Sequence, residues 1–414
     1  MSYVINIIET PEQLREIIPE WLAFLEAKPL GILVYNDPRF ILERYEHEPF
    51  YPDPNPKKLH IIVLRRDGRI CGILPTVISK KRVYLNFSYK RIPGPKLWQM
   101  ICYGDALIHE DAPDRNEALF SALIDFLSAD TGFDLFYSHD VRTDTPFARY
   151  CLGNRDKLMT RFPDVRLSLQ HDHLIELPET FDQFMASRNA KQRHSMKRRA
   201  SSFDKQFPEA RLVCYRDQEE APYFLEKSDI VSQVSWKSLT FGFMPQNTPE
   251  NREKFLAFAK YGWLRSYILF SKDAEPLAFI QGYEYRGVYY MENMCFVQSY
   301  EYFAPGRKCL YYTVQELLSK NSSHLIDFGF GDFRYKREWS NVVVPSASVS
   351  VACSIKGRIF LRSQKAIDVM TTCAKKIVDR LGIADRIQKM LKHKNEQPNS
   401  SDSKLTNQSE EQEG

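Results

Sequence analysis

The stretch VYYMENMCFVQSYEYFAPGRKCLYYTVQELLSKNSSHLIDFGF, residues 288–330, decides the fold. Its first nine residues are aromatic and apolar around a single Glu-Asn pair, which predicts a strand over 288–296. A polar loop follows, from Gln298 to Ala304, and then Pro305-Gly306-Arg307-Lys308 heads a helix. Proline suits the first helical position, where its missing N–H costs nothing. Leu325-Ile-Asp-Phe328 is the next strand, so the order is strand, helix, strand. A helix start of this kind is an anion site in waiting. Its unpaired N–H groups and the positive end of the dipole point outward, Gly306 lets a phosphate approach the backbone, and Arg307 and Lys308 add charge. The competing reading is that Pro-Gly only marks a loop.

Outward from this stretch, Ser266 to Ser271 and Leu277 to Tyr285 are strands punctuated by Lys272-Asp273 and Arg286-Gly287. Helices are expected around 217–233 and 249–261, and another from the Thr180–Gln183 capping box toward Lys205. The first half has the same grammar. Residues 3–8 form a strand, Thr10-Pro11-Glu12-Gln13 caps a helix, and strands cover 59–65, 70–78 and 82–87 after a proline-rich stretch. A helix at 117–127 and a strand at 133–138 repeat the later helix and strand at an offset of roughly 190–205 residues. The expectation is an α/β protein of two tandem domains, each a mixed central sheet flanked by helices. Their bounds are 1–170 and 175–360, followed by basic C-terminal helices over 361–394 and a disordered tail over 395–414.

Composition narrows the function classes. Net charge is only +4 over 414 residues, so whole-molecule charge gives no ground for nucleic-acid binding and local clusters must be argued singly. The N-terminus lacks the basic and apolar regions of a secretory signal, and no apolar run is long enough to span a membrane. The eight cysteines are scattered with no CxxC pair, which favours reduced thiols and a cytoplasmic setting. His171 and His173 have no partners at ligand spacing, so no metal site is expected. Neither a Gly-x-x-x-x-Gly-Lys-Ser/Thr loop nor Gly-x-Ser-x-Gly occurs.

Three segments, SRNAKQRHSMKRR (187–199), YFAPGRKCL (302–310) and DFGFGDFRYKREW (327–339), resemble the GNAT-type acetyltransferase domain of CelD-like proteins, a family named for cellulose biosynthesis. The likeness covers about 175–345 well and the first half loosely. That family is distantly related to Fem-type peptidyltransferases, which also pair two GNAT-like halves. Ala304 stands where the family commonly has serine, so a hydroxyl is missing from the loop. The resemblance implies an acyltransferase that uses acyl-CoA, most simply acetyl-CoA, as co-substrate and a small-molecule or saccharide amine or hydroxyl as acceptor. A Fem-like use of aminoacyl-tRNA and a non-catalytic role in exopolysaccharide assembly are the alternatives.

Carried onto this chain, the resemblance places Pro305, Gly306, Arg307 and Lys308 at the acyl-CoA phosphates and Gly329, Gly331, Lys336 and Trp339 around the pocket. Glu292 is the first choice of general base, Asp327 the second, and Tyr335 the acid for the leaving thiolate. Glu292 reads equally as a paired structural carboxylate, and Lys336 as a salt-bridge partner of Asp332. Arg188, Arg193 and Lys197 share a helix face by three- and four-residue spacing and either contact phosphate or an anionic acceptor, or form a solvated face. The first half lacks the Pro-Gly-Arg-Lys loop. Its Glu110-Asp111-Ala112-Pro113-Asp114 would repel a pyrophosphate, so it is expected to be degenerate. The C-terminal helices, with Ile367, Met370, Ile377 and Leu381 beside Lys375, Lys376 and Arg380, either pack on the second domain or touch a membrane surface.

Overall fold

The computed structural model describes residues 3–26, 33–47, 57–87, 90–103, 105–108, 113–129, 132–235, 237–238 and 245–380. The expected tail, the end of the C-terminal helices, the proline-rich stretch and the acids Glu110 and Asp111 lie outside these residues.

Thr10 caps as its sequence requires. Its Oγ1 accepts from Gln13 N at 3.3 Å and Gln13 Oε1 accepts from Thr10 N at 3.2 Å. That box starts α1 (Pro11–Glu26) after β1 (Val4–Ile8), and α2 (Pro38–His47) follows. The strands of the first half are β2 (Lys57–Leu59), β3 (Ile61–Arg66), β4 (Arg69–Leu74), β5 (Thr76–Phe87), β6 (Lys90–Tyr103) and β7 (Leu107–Ile108). Then come α3 (Pro113–Ser128), β8 (Leu135–Arg142), α4 (Pro146–Gly153), α5 (Arg155–Arg161) and β9 (Val165–Glu176).

The second half begins with α6 (Phe181–Ala186) and α7 (Ala190–Gln206), two helices where one was expected. The chain breaks at Ser187–Asn189 because Asn189 builds its own capping box, its side chain accepting from Gln192 N at 2.8 Å. Next are β10 (Arg211–Tyr215), α8 (Ala221–Gln233), α9 (Pro249–Lys260), β11 (Ser266–Phe270), β12 (Pro276–Tyr285) and β13 (Val288–Phe296). The chain ends with α10 (Pro305–Lys320), β14 (Leu325–Phe330), α11 (Arg334–Trp339), β15 (Val342–Ala352) and α12 (Ile355–Arg380).

An eleven-stranded mixed sheet runs β10-β11-β12-β13-β14-β9-β15-β8-β6-β5-β2, beside a four-stranded sheet β1-β3-β4-β7. The strands of the two halves are joined at β9 and β15, which pair antiparallel over ten rungs from Val342–Leu174 to Val351–Val165. The sequence reading missed β15, although its triple valine and its alternation after Pro345 are a strand signal. One face of the large sheet carries α8 and α9 together with α1 and α2 of the first half; Phe40 of α2 stacks on Phe258 of α9 at 5.1 Å. The other face carries α6, α7, α10 and α11 over Ile175, Tyr289, Met291 and Phe328. Each such buried Phe contributes about 1.5–3 kcal/mol, so the shared core ties the halves firmly. All eight cysteines are free thiols. No helix among the described residues is long and apolar enough to cross a membrane.

Candidate functional site

β13 and β14 run parallel but pair over only three rungs, the last being Tyr290–Asp327. Beyond it β13 continues to Phe296 and β14 to Phe330, so the strands part. Two local features accompany the split. On β13, Glu292 is the extra residue of a bulge, with Gln281 opposite Asn293 but Gly282 opposite Met291, and a bulge bends its strand. On β14, Gly329 has φ +62°, and Gly331 just beyond has φ +99°, conformations that glycine adopts without steric cost. The first half has the same strand–helix–strand order in β6, α3 and β8. There the pairing holds from Gln99–Leu135 to Tyr103–His139, the end of β6. The gap belongs to the second half.

Lys336 lies at the root of the gap. Its Nζ donates to the carbonyls of Phe328 at 2.6 Å and Gly329 at 3.1 Å, and the residue is buried. It therefore clamps β14 past the last rung instead of reaching a phosphate. Asp332 pairs with Arg337 at 2.6 Å and lies 3.4 Å from His173.

α10 starts at the mouth. Ala304 is left-handed at φ 54°, a conformation that costs a non-glycine residue about 1–2 kcal/mol. The N–H groups of Arg307 and Lys308 return to Ala304 O at 3.0 and 3.1 Å, and Pro305 has none to offer. The Gly306 N–H meets no acceptor among the described residues. A Cβ on Gly306 would lie 3.0 Å from Phe296 Cδ1, so glycine lets this helix start pack closely on β13 as well.

A groove of about 540 Å³ opens at this helix start, between α7, the end of β13 and the segment after β14, lined by Arg198, Arg199, Arg307, Met294, Tyr335 and Lys237. A smaller hollow of about 160 Å³ adjoins it, between Lys191 and Ser195 of α7 and Lys308, Arg334 and Trp339. Three guanidiniums converge where the two meet. Arg307, Arg199 (3.2 Å) and Arg334 (2.8 Å) all bond the carboxylate of Glu338. Lys308 is turned away, buried against Asp204 at 2.8 Å and over the Tyr312 ring.

The other basic residues fall differently from their spacing. Arg188 precedes α7, lies 4% exposed over the Phe184 ring, and donates to Ser340 O at 3.3 Å. Burial lowers its pKa. Arg193 closes the joint between α6 and α7 on the carbonyls of Ala186 and Arg188. Lys197 is exposed on α7 outside the groove lining. The groove face is instead Lys191, Ser195, Arg198, Arg199 and Ser202, because Met196 and Phe203 fix the buried side of α7. Lys237 was not foreseen; its Nζ donates to Asn293 Oδ1 at 2.6 Å beside the bulge, and a lone lysine before a helical pattern carries no sequence signal.

The candidate acid–base groups now separate. Glu292 accepts from Lys254 Nζ and Tyr35 Oη, each at 2.8 Å, and from Gln281 Nε2 at 3.1 Å. Its side chain is only 19% exposed, although the bulged residue as a whole opens to solvent. Burial raises its pKa, but Lys254 and the hydrogen bonds outweigh that and hold the carboxyl below its usual range. Asp327, on the last rung before the split, behaves oppositely. Burial lifts it to about 6, with Asp172 adding to the rise, while the Gly329 N–H at 2.6 Å, Arg142 and Lys336 oppose it. Tyr335 packs against Phe328 and Phe333, and burial raises its phenol well above the usual value. Trp339 is buried and stacks with Phe184 at 6.0 Å, a wall element.

A parallel pair that splays at a helix N-terminus in the second half, with the same strand–helix–strand order but unbroken pairing in the first, is a tandem arrangement of the GNAT fold. Residues 190–337 match the family model described as "Acetyltransferase (GNAT) domain". No curated protein sequence matches the chain. Among solved structures, FemX aligns over 84% of this chain and 97% of its own, with a TM-score of 0.54 at 12% identity. A tandem GNAT protein from the clavulanic acid biosynthesis pathway covers 85% and 99% (TM-score 0.47, 10% identity). L-PGS from Bacillus licheniformis covers 86% and 97% (TM-score 0.46, 13% identity). The FemX likeness shows a shared fold and, at that identity, nothing finer.

Proposed function

We propose that the chain transfers an acyl group, acetyl in the simplest case, from acyl-CoA to an amine. The observation that carries this reading is the groove itself, which joins Gly306 and the arginine cluster to Tyr335 and the end of β13, while β13 and β14 part beyond Tyr290–Asp327. A diphosphate fits beside Gly306 and the arginines by charge and by the Gly306 N–H. A pantetheine arm is a narrow amide chain that can bond the unpaired backbone of parted strands.

Asp327 takes the role of general base in place of Glu292. A carboxyl near 6 is ionised at neutral pH yet basic enough to accept a proton, whereas Glu292 is committed to Lys254 and Tyr35. The acceptor nitrogen attacks the thioester carbonyl and loses its proton to Asp327. The C–S bond breaks, and the Tyr335 phenol protonates the departing thiolate. The first half supplies Asp172, Arg142 and Tyr35 around this floor, so it helps to shape the acceptor side. A sugar amine is the acceptor class to screen first.

The test is the pH–rate profile of acetyl transfer to a panel of amines, for the native chain and Asp327→Asn. The native rate should fall below about pH 6 as Asp327 protonates, and the variant should lose about 10²–10⁴-fold with that limb gone. An unchanged profile in Asp327→Asn rejects the base. Turnover with aminoacyl-tRNA and none with acetyl-CoA rejects the donor.

A further inference from the structure

α12 has two faces of opposite kind. Gly357, Leu361 and Gln364 face the sheet; Gly357 sits so close that a Cβ there would lie 2.2 Å from the Asp134 carbonyl, and Gln364 bonds the backbone of Asn86 at 2.7 and 3.1 Å. At about 100° per residue, Ile355, Ile359, Ala366, Val369, Met370 and Cys373 fall within roughly a quarter-turn on the opposite side. Four of them are large and open to solvent, Ile355 at 74%, Ile359 at 63%, Met370 at 56% and Val369 at 55%. The β5–β6 hairpin that Gln364 grips adds Phe87 at 43% and Ile92 at 46%.

Charge says what covers this stripe. Lys356 flanks it on one side and Arg358 and Lys365 on the other; Arg362, within it, is paired with Asp164 at 2.9 Å. The single acid from 355 to 374 is Asp368, whose carboxylate is paired with Arg166 at 2.8 Å and accepts from Gln364 at 2.8 Å. An apolar stripe edged by cations matches an anionic bilayer surface. The aliphatic side chains enter the acyl boundary while lysine and arginine stems reach back to phosphates.

We propose that α12, with Phe87 and Ile92 of the β5–β6 hairpin, docks the protein on anionic phospholipid membranes. The docking is peripheral and reversible, because one helix face and the described end of a hairpin enter the lipid and no helix among the described residues is long and apolar enough to span it.

The test is sedimentation of the full chain with phosphatidylglycerol-containing vesicles and with pure phosphatidylcholine vesicles, for the native protein and Ile359→Glu/Met370→Glu. The native chain should bind the anionic vesicles, release them in high salt, and leave the neutral ones in solution. The double variant should bind at least about tenfold more weakly while keeping its melting temperature and its acetyl-CoA binding, since both positions are exposed and neither lines the groove or the adjoining hollow. Absence of native binding overturns the proposal, and so does equal binding by the variant or equal binding to neutral vesicles. A native dimer that the variant splits, with no vesicle bound, overturns it in favour of a self-association face.

Discussion

Glu338 is the carboxylate that Arg199, Arg307 and Arg334 share, and replacing it with glutamine should tighten acyl-CoA binding. Arg334 is 76% exposed, so its pair with Glu338 contributes only about 0.3–0.5 kcal/mol. Arg199 and Arg307 are 29% and 21% exposed against 29% for Glu338, so those two contacts are worth somewhat more, about 0.5–1 kcal/mol each. A ligand phosphate that takes the arginines must displace about 2 kcal/mol of such bonding in the native chain. In Glu338→Gln that opposition is largely gone. The predicted gain in affinity is about 5- to 30-fold, from 1.4 kcal/mol per decade. The same variant should melt a few degrees lower, because three guanidiniums now repel one another without a counter-charge. Calorimetric titration with acetyl-CoA at two salt concentrations reads the first effect and thermal melting the second. An equal or weaker affinity in well-folded Glu338→Gln would refute the reasoning, because the glutamate would then be organising the arginines or the ligand would not reach them.

Two further substitutions separate chemistry from scaffolding. Tyr335→Phe keeps the ring packed on Phe328 and Phe333 but removes the proton donor, so kcat should fall about 10- to 100-fold with acetyl-CoA affinity unchanged, as stopped-flow and calorimetry would show. Lys336→Met strips the carbonyls of Phe328 and Gly329 of their buried donor and should lower stability by about 1–3 kcal/mol in denaturant titration. Asp327→Asn should also raise thermal stability at neutral pH. A carboxyl whose folded pKa lies above its unfolded value of 3.8 takes up protons on folding between about pH 4 and 6, so the native chain loses stability as pH rises through that window. Melting curves that show no pH dependence there would contradict the lifted pKa.

How much of this was legible depends on how local each signal is. The Thr10 and Thr180 caps, the turn at Asp67-Gly68 and the strand–Pro-Gly–helix order are encoded within a few residues, and the structure has them where the sequence puts them. The helix break at Asn189 was equally local, but the basic run around it masked the second capping box. Pairings were not legible. Lys308 with Asp204, Glu292 with Lys254 and Tyr35, and Arg199, Arg307 and Arg334 with Glu338 join residues from 4 to 257 positions apart, and a sequence shows charges without their partners. That is why spacing on α7 pointed to Arg193 and Lys197, whereas the groove is lined by Arg198 and Arg199, one step further around the helix.

The account stands on an acyl-CoA groove at the start of α10, and calorimetry of acetyl-CoA with the native chain and Arg199→Ala/Arg307→Ala tests that most directly. Gly306 is the poorer probe, because a Cβ there already lies 3.0 Å from the Phe296 ring and a larger side chain would disturb the packing as well as the phosphate site. Saturable one-to-one binding that weakens at least about tenfold in the double variant, with the fold intact by melting, is the predicted result. No binding by well-folded native protein, or undiminished binding by the variant, would contradict it.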